Sequence, residues 1–146
     1  MDLDTLFLIA TRATLPCWLL LLFLPWWKWT TRLVAVFVPV LLGGLYLVLV
    51  WRYFGSSGGG YDSLDEVRTL FNEPGMLLAG WVHYLAFDLF VGAWEARDAQ
   101  RLGIHQLLLM PCLALTLLFG PVGLLVYLVL RFALKRQLWI GEEIEA

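Results

Sequence analysis

Charge is scarce in this sequence. Only 15% of its 146 residues are charged, and the formal net charge of −2 is too small to indicate a nucleic-acid partner. Hydrophobic residues make up 61% of the chain. A soluble domain this short cannot bury that much apolar surface, because small domains leave much of their surface exposed. The composition therefore predicts a membrane protein in which lipid solvates most of the chain.

Cysteine and histidine are nearly absent as well. Cys17 and Cys112 both lie in apolar runs without a Cys-x-x-Cys pair, so we interpret them as small core residues rather than a disulfide framework. His83 and His105 fall near the starts of two antiparallel predicted helices, roughly 18 Å apart along the bundle axis. That separation excludes a single haem ligated by both histidines, since its axial ligands must lie at one depth.

We also expect no cleavable targeting segment in this sequence. The first apolar run starts near Thr5, has no basic region before it and contains Arg12. Its length suits a spanning helix better than a signal peptide. We therefore expect a multi-pass protein of a bacterial or cyanobacterial membrane, with a mature plastid protein as the alternative.

Four long apolar segments are present, and each is long enough to cross about 30 Å of hydrocarbon. They predict an all-α integral membrane bundle that forms one domain, 1–146. Pro121 lacks a backbone N–H and should disturb the fourth helix, so we expect a kink at Gly120-Pro121, with two half-helices as the alternative. The predicted spans are approximately 5–27, 33–53, 75–95 and 105–131.

The only sizeable loop lies between the second and third segments. Its Gly-Ser stretch, 55–60, is typical of a flexible linker. Ser63-Leu64-Asp65-Glu66 then has the pattern of a capping box and predicts a short amphipathic helix at the membrane surface, approximately 63–72. This segment is either a simple connector or a lid over a membrane-buried pocket.

Four spans place the N-terminus, this loop and the C-terminus on one side of the membrane. Lys and Arg residues near the helix ends then number five on that side and four on the other. This difference does not decide the orientation under the positive-inside rule. A cytoplasmic C-terminus is our working expectation.

Ionisable residues inside the third segment are the most informative feature. His83, Asp88, Glu95 and Asp98 fall within one helical arc of about 140° at 100° per residue. Such residues at membrane depth are costly and are usually functional or paired. We therefore select His83, Asp88 and Glu95 as candidate catalytic residues, and interpret Arg97 and Asp98 as a solvated helix end.

Arg12 is the predicted partner of Asp88. It lies about seven residues into the first helix, level with His83, and a contact with Asp88 would lower the cost of burying both charges. The alternative is that Arg12 extends to the lipid headgroups. No metal site is expected, because the spacing of His83, Asp88 and Glu95 differs from the Glu-x-x-His motif of di-iron bundles and no other helix supplies a carboxylate.

The run from His83 to Gly92, followed by Trp94-Glu95 and Arg97-Asp98, resembles one known family. These are the abscisic-acid-deficiency-4-like membrane proteins, whose plant members are associated with neoxanthin synthesis. The resemblance continues into Gly103-Ile104, Pro111-Cys112 and 119–124, and also takes in Val67-Arg68 and Leu70-Phe71.

The resemblance implies a four-helix membrane protein that acts on a carotenoid. The step proposed in plants isomerises the 5,6-epoxide of violaxanthin to the allene of neoxanthin, which requires one acid and one base but no redox cofactor. Asp88 and Glu95 would fill these roles, with His83 as an alternative acid or base. The implied substrate-binding residues are Arg12, Trp81, Tyr84, Phe87 and Trp94.

Two other functions stay open at this point. One is a non-catalytic protein that binds carotenoid or lipid, or that assists a pigment-modifying enzyme. The other is a small proton-coupled carrier in which Asp88 and Arg12 form a relay, because a broken fourth helix is typical of transporter sites. The expected partners are membrane lipids and a carotenoid or other isoprenoid.

Overall fold

The computed structural model describes residues 2–137, and this range contains helices and loops but no strand. The all-α prediction is thereby confirmed. Six helices follow one another along the chain: α1 (Leu3–Phe23), α2 (Lys28–Ser56), α3 (Leu64–Asn72), α4 (Pro74–Arg101), α5 (Gln106–Phe119) and α6 (Pro121–Lys135).

Three of the described helices, α1, α2 and α4, are long and apolar enough to cross a membrane. They contain 21, 29 and 28 residues. At 1.5 Å per residue even the shortest extends about 31 Å, the thickness of the hydrocarbon core. These candidate spans fit a membrane protein, whereas the predicted number of four spans is not confirmed.

Helix α4 is the centre of the bundle. Its inward face combines large apolar residues such as Val82 and Leu89 with small ones such as Gly92 and Ala93, all of them buried. The small residues allow close approach: a Cβ added at Gly92 would lie 2.8 Å from the Trp18 ring of α1. Small residues at helix contacts are typical of packing inside membranes, where backbones must approach closely.

The neighbours of α4 run in opposite directions. Helix α1 is parallel to it, since Phe7 stacks near Trp81 at one end and Trp18 meets Gly92 further along. Helix α2 is antiparallel, since Tyr53 at its end packs on Gly75 at the start of α4. The starts of α1 and α4 and the end of α2 therefore lie at the same end of the bundle.

A short helix forms where the capping-box pattern predicted one. The Ser63 hydroxyl accepts a hydrogen bond from the Glu66 N–H at 3.2 Å, and the Glu66 carboxylate accepts one from the Asp62 N–H at 3.2 Å. Helix α3 then buries Leu70, and the Phe71 ring packs against Gly80 of α4. Its position at the membrane surface stays a prediction.

The single kinked fourth helix is a wrong prediction. Helix α5 ends at Phe119 and α6 begins at Pro121, with Gly120 between them at φ 44° and ψ −95°. This backbone conformation is readily available only to glycine, which lacks a Cβ. The sequence located the break correctly, but Gly120 reverses the chain direction instead of bending one helix.

Helices α5 and α6 form an antiparallel hairpin. Gly123 packs directly against the backbone of Thr116, seven residues earlier, because the two helices approach closely just after the turn. At the other end, Lys135 Nζ lies 4.0 Å from the Cβ position of Gly103, which follows α4. Lys135 is therefore near the end of α4, not near its start as four spans require.

Candidate functional site

An apolar groove lies between α1, α3 and the first half of α4. It encloses about 580 Å³. Trp81 and Tyr84 of α4 form part of its wall, and Phe71 of the short helix α3 closes one side. Asp4 is the only charged residue among the lining side chains. The remaining lining residues are Leu3, Phe7, Pro74, Leu77, Leu78 and Gly80.

Tyr84 connects this groove to the hairpin. Its ring lies 5.3 Å from the Trp81 ring on the groove side. Its hydroxyl donates a hydrogen bond to the Leu117 carbonyl in the last turn of α5 at 3.0 Å, and it also interacts with the carboxyl group of Asp88. The polar end of Tyr84 thus lies where the groove, α4 and the hairpin meet.

Asp88 is buried, with 9% of its surface exposed, and it faces the tip of the hairpin. A Cβ at Gly120 would lie 2.8 Å from Asp88 Oδ1, so glycine is required here for space as well as for conformation. Within residues 2–137, Asp88 Oδ2 is the one buried side-chain oxygen or nitrogen without a hydrogen-bond partner. An unsatisfied buried carboxyl oxygen is costly, and it requires an explanation.

Glu95 lies two helical turns beyond Asp88 on the same side of α4 and is completely buried. The Thr116 hydroxyl of α5 is 3.0 Å from Oε1 and 3.1 Å from Oε2 of Glu95, and it also lies 3.0 Å from the Cys112 carbonyl. Neither Glu95 nor Thr116 lines the groove. Glu95 is therefore enclosed between α4 and the hairpin.

Asp98, at the end of the same face, is surrounded by donors. Its Oδ2 accepts hydrogen bonds from the Tyr127 hydroxyl and from Arg131 Nε, both at 2.7 Å, and its Oδ1 accepts one from Arg101 at 2.9 Å. Asp98 and Arg131 are buried, with 6% and 0% of their surfaces exposed. The interpretation of Asp98 as a solvated helix end is therefore wrong: it anchors α6 to α4.

Sequence reasoning missed Tyr127 and Arg131 as partners of α4. Four spans place Arg131, at the basic end of the fourth predicted helix, across the membrane from Asp98. The available signal was their spacing: Tyr127 and Arg131 lie four residues apart, on one helical face, in an otherwise apolar run. A polar stripe of this kind indicates a buried partner.

The structure separates the other predicted catalytic residue from the carboxylates. His83 is exposed on the outer side of α4, where its ring lies 4.5 Å from Phe87 and 5.7 Å from Tyr46 of α2. The predicted arc is too wide, because the hairpin covers only the part of it that contains Asp88, Glu95 and Asp98.

The predicted contact between Arg12 and Asp88 does not form. Arg12 is exposed, and none of the ion pairs in the described part of the chain joins it to Asp88. Thr11, the residue before Arg12, contacts the groove wall instead. Its hydroxyl accepts a hydrogen bond from Trp81 Nε1 at 2.9 Å. Arg12 therefore provides no counter-charge for Asp88.

The four predicted substrate-binding aromatic residues do not lie at one site. Trp81 and Tyr84 line the groove, whereas Phe87 is exposed beside His83. Trp94 packs edge-on against Tyr127 at 5.5 Å, inside the contact between α4 and α6. Among residues 2–137, no three His, Cys, Asp or Glu side chains are placed to hold one metal ion.

Comparison with known proteins gives a consistent result. A family model described as ABA DEFICIENT 4-like matches residues 5–127. Protein ABA DEFICIENT 4, chloroplastic, from Arabidopsis thaliana is 28% identical over 143 residues, covering 92% of this chain and 64% of the relative. The chain thus spans less than two thirds of that relative's length. No solved structure matches it significantly.

The same comparison bears on the cellular membrane. The relative is named as a chloroplastic plant protein. This does not support the bacterial or cyanobacterial membrane expected from the sequence.

Proposed function

The chain belongs to the ABA DEFICIENT 4-like family, and from this premise we propose that it is a carotenoid-modifying membrane protein of neoxanthin-type biosynthesis. We assign it the isomerisation of an epoxy-carotenoid end group by acid and base chemistry. The observation that carries the proposal is the apolar groove that ends at Tyr84, with Asp88 and its one unsatisfied carboxyl oxygen behind it.

The groove suits a long apolar ligand that approaches from the bilayer. Its wall is aromatic and aliphatic apart from Asp4, and Tyr84, whose hydroxyl bonds to the Leu117 carbonyl, lines its inner end. Ligand sites of this kind combine an apolar lining with a few polar groups that fix the orientation. A carotenoid end group at the inner end of the groove would lie beside Tyr84, whose hydroxyl would turn from the Leu117 carbonyl to donate its proton to the ligand.

The chemistry requires one proton to be delivered and one to be removed. A proton adds to the epoxide oxygen, the bond from that oxygen to one ring carbon breaks, and the oxygen stays on the other carbon as a hydroxyl group. A proton leaves the adjacent polyene carbon, and its electron pair forms the second double bond of the allene. The product is an isomer, so no redox cofactor is consumed.

We assign proton exchange with the substrate to Tyr84, and we assign Asp88 as the group that supplies this proton and takes it back. Tyr84 is the member of the pair that lines the groove, whereas Asp88 lies one helical turn further along α4 and faces the hairpin tip. A positioned acid or base of this kind typically contributes about 10²–10⁴-fold to a rate. Glu95 has no place in this step, because it is fully enclosed and does not line the groove.

The test is pigment analysis in a host that makes 5,6-epoxy-carotenoids. The parent chain should produce a new pigment with the mass of its precursor and the shortened chromophore of an allene. Asp88→Asn and Tyr84→Phe should each reduce it by about 10²-fold or more. Asp65→Asn is the matched control, because Asp65 is exposed and pairs only with Arg68 on α3.

Three outcomes separate the proposal from its alternatives. Full product in both Asp88→Asn and Tyr84→Phe would overturn the residue assignment. Carotenoid that copurifies unchanged with the parent chain would favour the non-catalytic binding protein, which the open groove also suits. If neither product nor bound pigment appears in several carotenoid backgrounds, the carotenoid proposal fails.

A further inference from the structure

The hairpin of α5 and α6 returns to the end of the bundle from which it starts. Helix α5 has 14 residues and α6 has 15, so each extends about 21–22 Å and is too short to cross a bilayer of about 30 Å. Its tip at Gly120 lies beside Asp88, in the middle of α4, whereas Arg131 and Lys135 lie beside Asp98 and Gly103 at the end of α4. The hairpin has the geometry of a re-entrant segment.

This course changes the distribution of charge between the two ends of the bundle. Lys135 and Arg136, which four spans assign to the end with the N-terminus, move to the opposite end. We call that end the basic surface. It carries six basic residues, from the start of α2, the end of α4 and the end of α6: Lys28, Arg32, Arg97, Arg101, Lys135 and Arg136.

The described acidic residues at this surface neutralise little of its positive charge. Asp98 is buried and already bonded to Arg101 and Arg131. Lys28 and Arg32 both lie over the Trp29 ring, at 5.8 and 5.3 Å, next to the exposed Trp26 and Trp27. Basic residues interleaved with tryptophan are typical of the headgroup region of a bilayer.

The opposite end, the acidic surface, has the reverse composition. It carries two basic residues, Arg52 and Arg68, and Arg68 is paired with Asp65 at 2.7 Å. Six carboxylates surround them, at the start of α1 and in the segment from α3 to α4: Asp2, Asp4, Asp62, Asp65, Glu66 and Glu73. Within residues 2–137, the exposed basic and acidic residues are therefore concentrated at opposite ends of the bundle.

We propose that α5 and α6 form a re-entrant hairpin, and that the basic surface it completes binds the anionic lipid headgroups of the cytoplasmic leaflet. Apart from the buried Arg131, six basic residues against two decide the orientation under the positive-inside rule, whereas five against four, with Arg131 counted, did not. Each Lys or Arg near an anionic leaflet adds to the attraction, which falls off within a Debye length. This inference does not depend on the carotenoid chemistry.

The first test is labelling of single introduced cysteines with a membrane-impermeant maleimide in the full-length chain. Ser57→Cys marks the acidic surface, Gln100→Cys the end of α4 and Arg136→Cys the end of α6. The parent chain is the control, because Cys17 and Cys112 are buried, and mass spectrometry identifies the labelled peptide. In a bacterial inner membrane, Arg136→Cys and Gln100→Cys should react in inverted vesicles and Ser57→Cys in spheroplasts.

Two labelling results would overturn the inference. If Arg136→Cys reacts from the same side as Ser57→Cys, the hairpin crosses the membrane and four spans are correct. If Gln100→Cys and Arg136→Cys react together from outside the cell, the hairpin stands but the cytoplasmic assignment fails.

The second test concerns the lipid. The melting temperature of the parent chain should be higher in nanodiscs of phosphatidylcholine with phosphatidylglycerol than in phosphatidylcholine alone, and salt should reduce the difference. The double variant Arg97→Gln, Lys135→Gln should lose at least about a third of this rise, since it removes two of six charges and Arg101, paired with Asp98, contributes less than the others. Arg52→Gln, Arg68→Gln removes the same charge from the acidic surface and should keep the rise. No rise in the parent, or equal losses in both variants, would refute the lipid contact.

Discussion

Asp88 and Asp98 lie on the same helix, both buried and both facing the hairpin, but their surroundings differ. Asp98 has both oxygens bonded, to Tyr127, Arg131 and Arg101. Asp88 keeps one buried oxygen without a partner, beside the inner end of an apolar groove. A buried carboxylate with charged partners fixes the packing of helices, whereas one that lacks them lowers stability and is available for chemistry.

The position along α4 explains the difference. Asp98 lies near the basic end of the bundle, where Arg101 of its own helix and Arg131 of α6 can reach it. Asp88 lies at the hairpin tip, where the chain reverses and offers glycine backbone instead of a cation. The contrast therefore assigns Asp98 to the architecture and Asp88 to the candidate site.

The largest expected effect is on the Asp98 side. Arg131→Met leaves a buried carboxylate without its buried cation and should lower the free energy of unfolding by about 3–5 kcal/mol. Thermal unfolding in detergent measures it. The double variant Asp98→Asn, Arg131→Met should recover part of the loss, because no unpaired charge is left. Asp88→Asn should cost less than about 1 kcal/mol, as Asp88 has no cation to lose; a cost equal to that of Arg131→Met would remove the contrast.

The next effect concerns the hairpin tip. Gly120→Ala places a Cβ at 2.8 Å from Asp88 Oδ1 and forces alanine to a positive φ of 44°. Strain of this kind costs about 1–3 kcal/mol. The same unfolding measurement detects it, and Gly43→Ala is the control, since a Cβ there meets nothing within 4 Å. Equal stability of the two variants would mean that Asp88 does not contact the tip.

An effect of similar size is expected at Glu95, which lies between the two aspartates along α4. Thr116→Val keeps the shape of the side chain but removes the hydroxyl that lies 3.0 Å from Glu95. Loss of a hydrogen bond to a buried group should cost about 1–3 kcal/mol. Thr69→Val is the comparison, because Thr69 bonds only to its own helix on the exposed side of α3. If Thr116→Val also abolishes pigment formation without unfolding the chain, Glu95 belongs to the reactive site.

The smallest effect is expected at His83. His83→Ala removes an exposed side chain on the outer face of α4 and should change stability by less than about 0.5 kcal/mol. Pigment formation should be unchanged, because His83 is separated from Asp88 by the width of the helix. A loss of product as large as that of Asp88→Asn would restore His83 to the catalytic set and show that the contrast between the two aspartates omits a residue.

The sequence alone determined the solvent of this protein and the helix that carries the candidate site. Long apolar runs require lipid, since each has too few polar groups to be stable in water, and this predicted helical structure in each run, although the fourth run forms two helices and not one. The carboxyl groups of Asp88 and Glu95 were identified by their cost at membrane depth, and the chain break by the backbone requirements of glycine and proline. These are local properties, readable from residue type and position.

Only the tertiary structure decided what each polar residue contacts. Whether Gly120 bends a helix or reverses it depends on the packing of Gly123 against Thr116, which no periodicity shows. That reversal places Arg131 beside Asp98 and leaves Asp88 without a nearby cation among residues 2–137. Arg12 and His83 lie outside the site. Helical spacing gives the direction of a side chain to within a broad arc, but the neighbouring helix determines which part of that arc is buried.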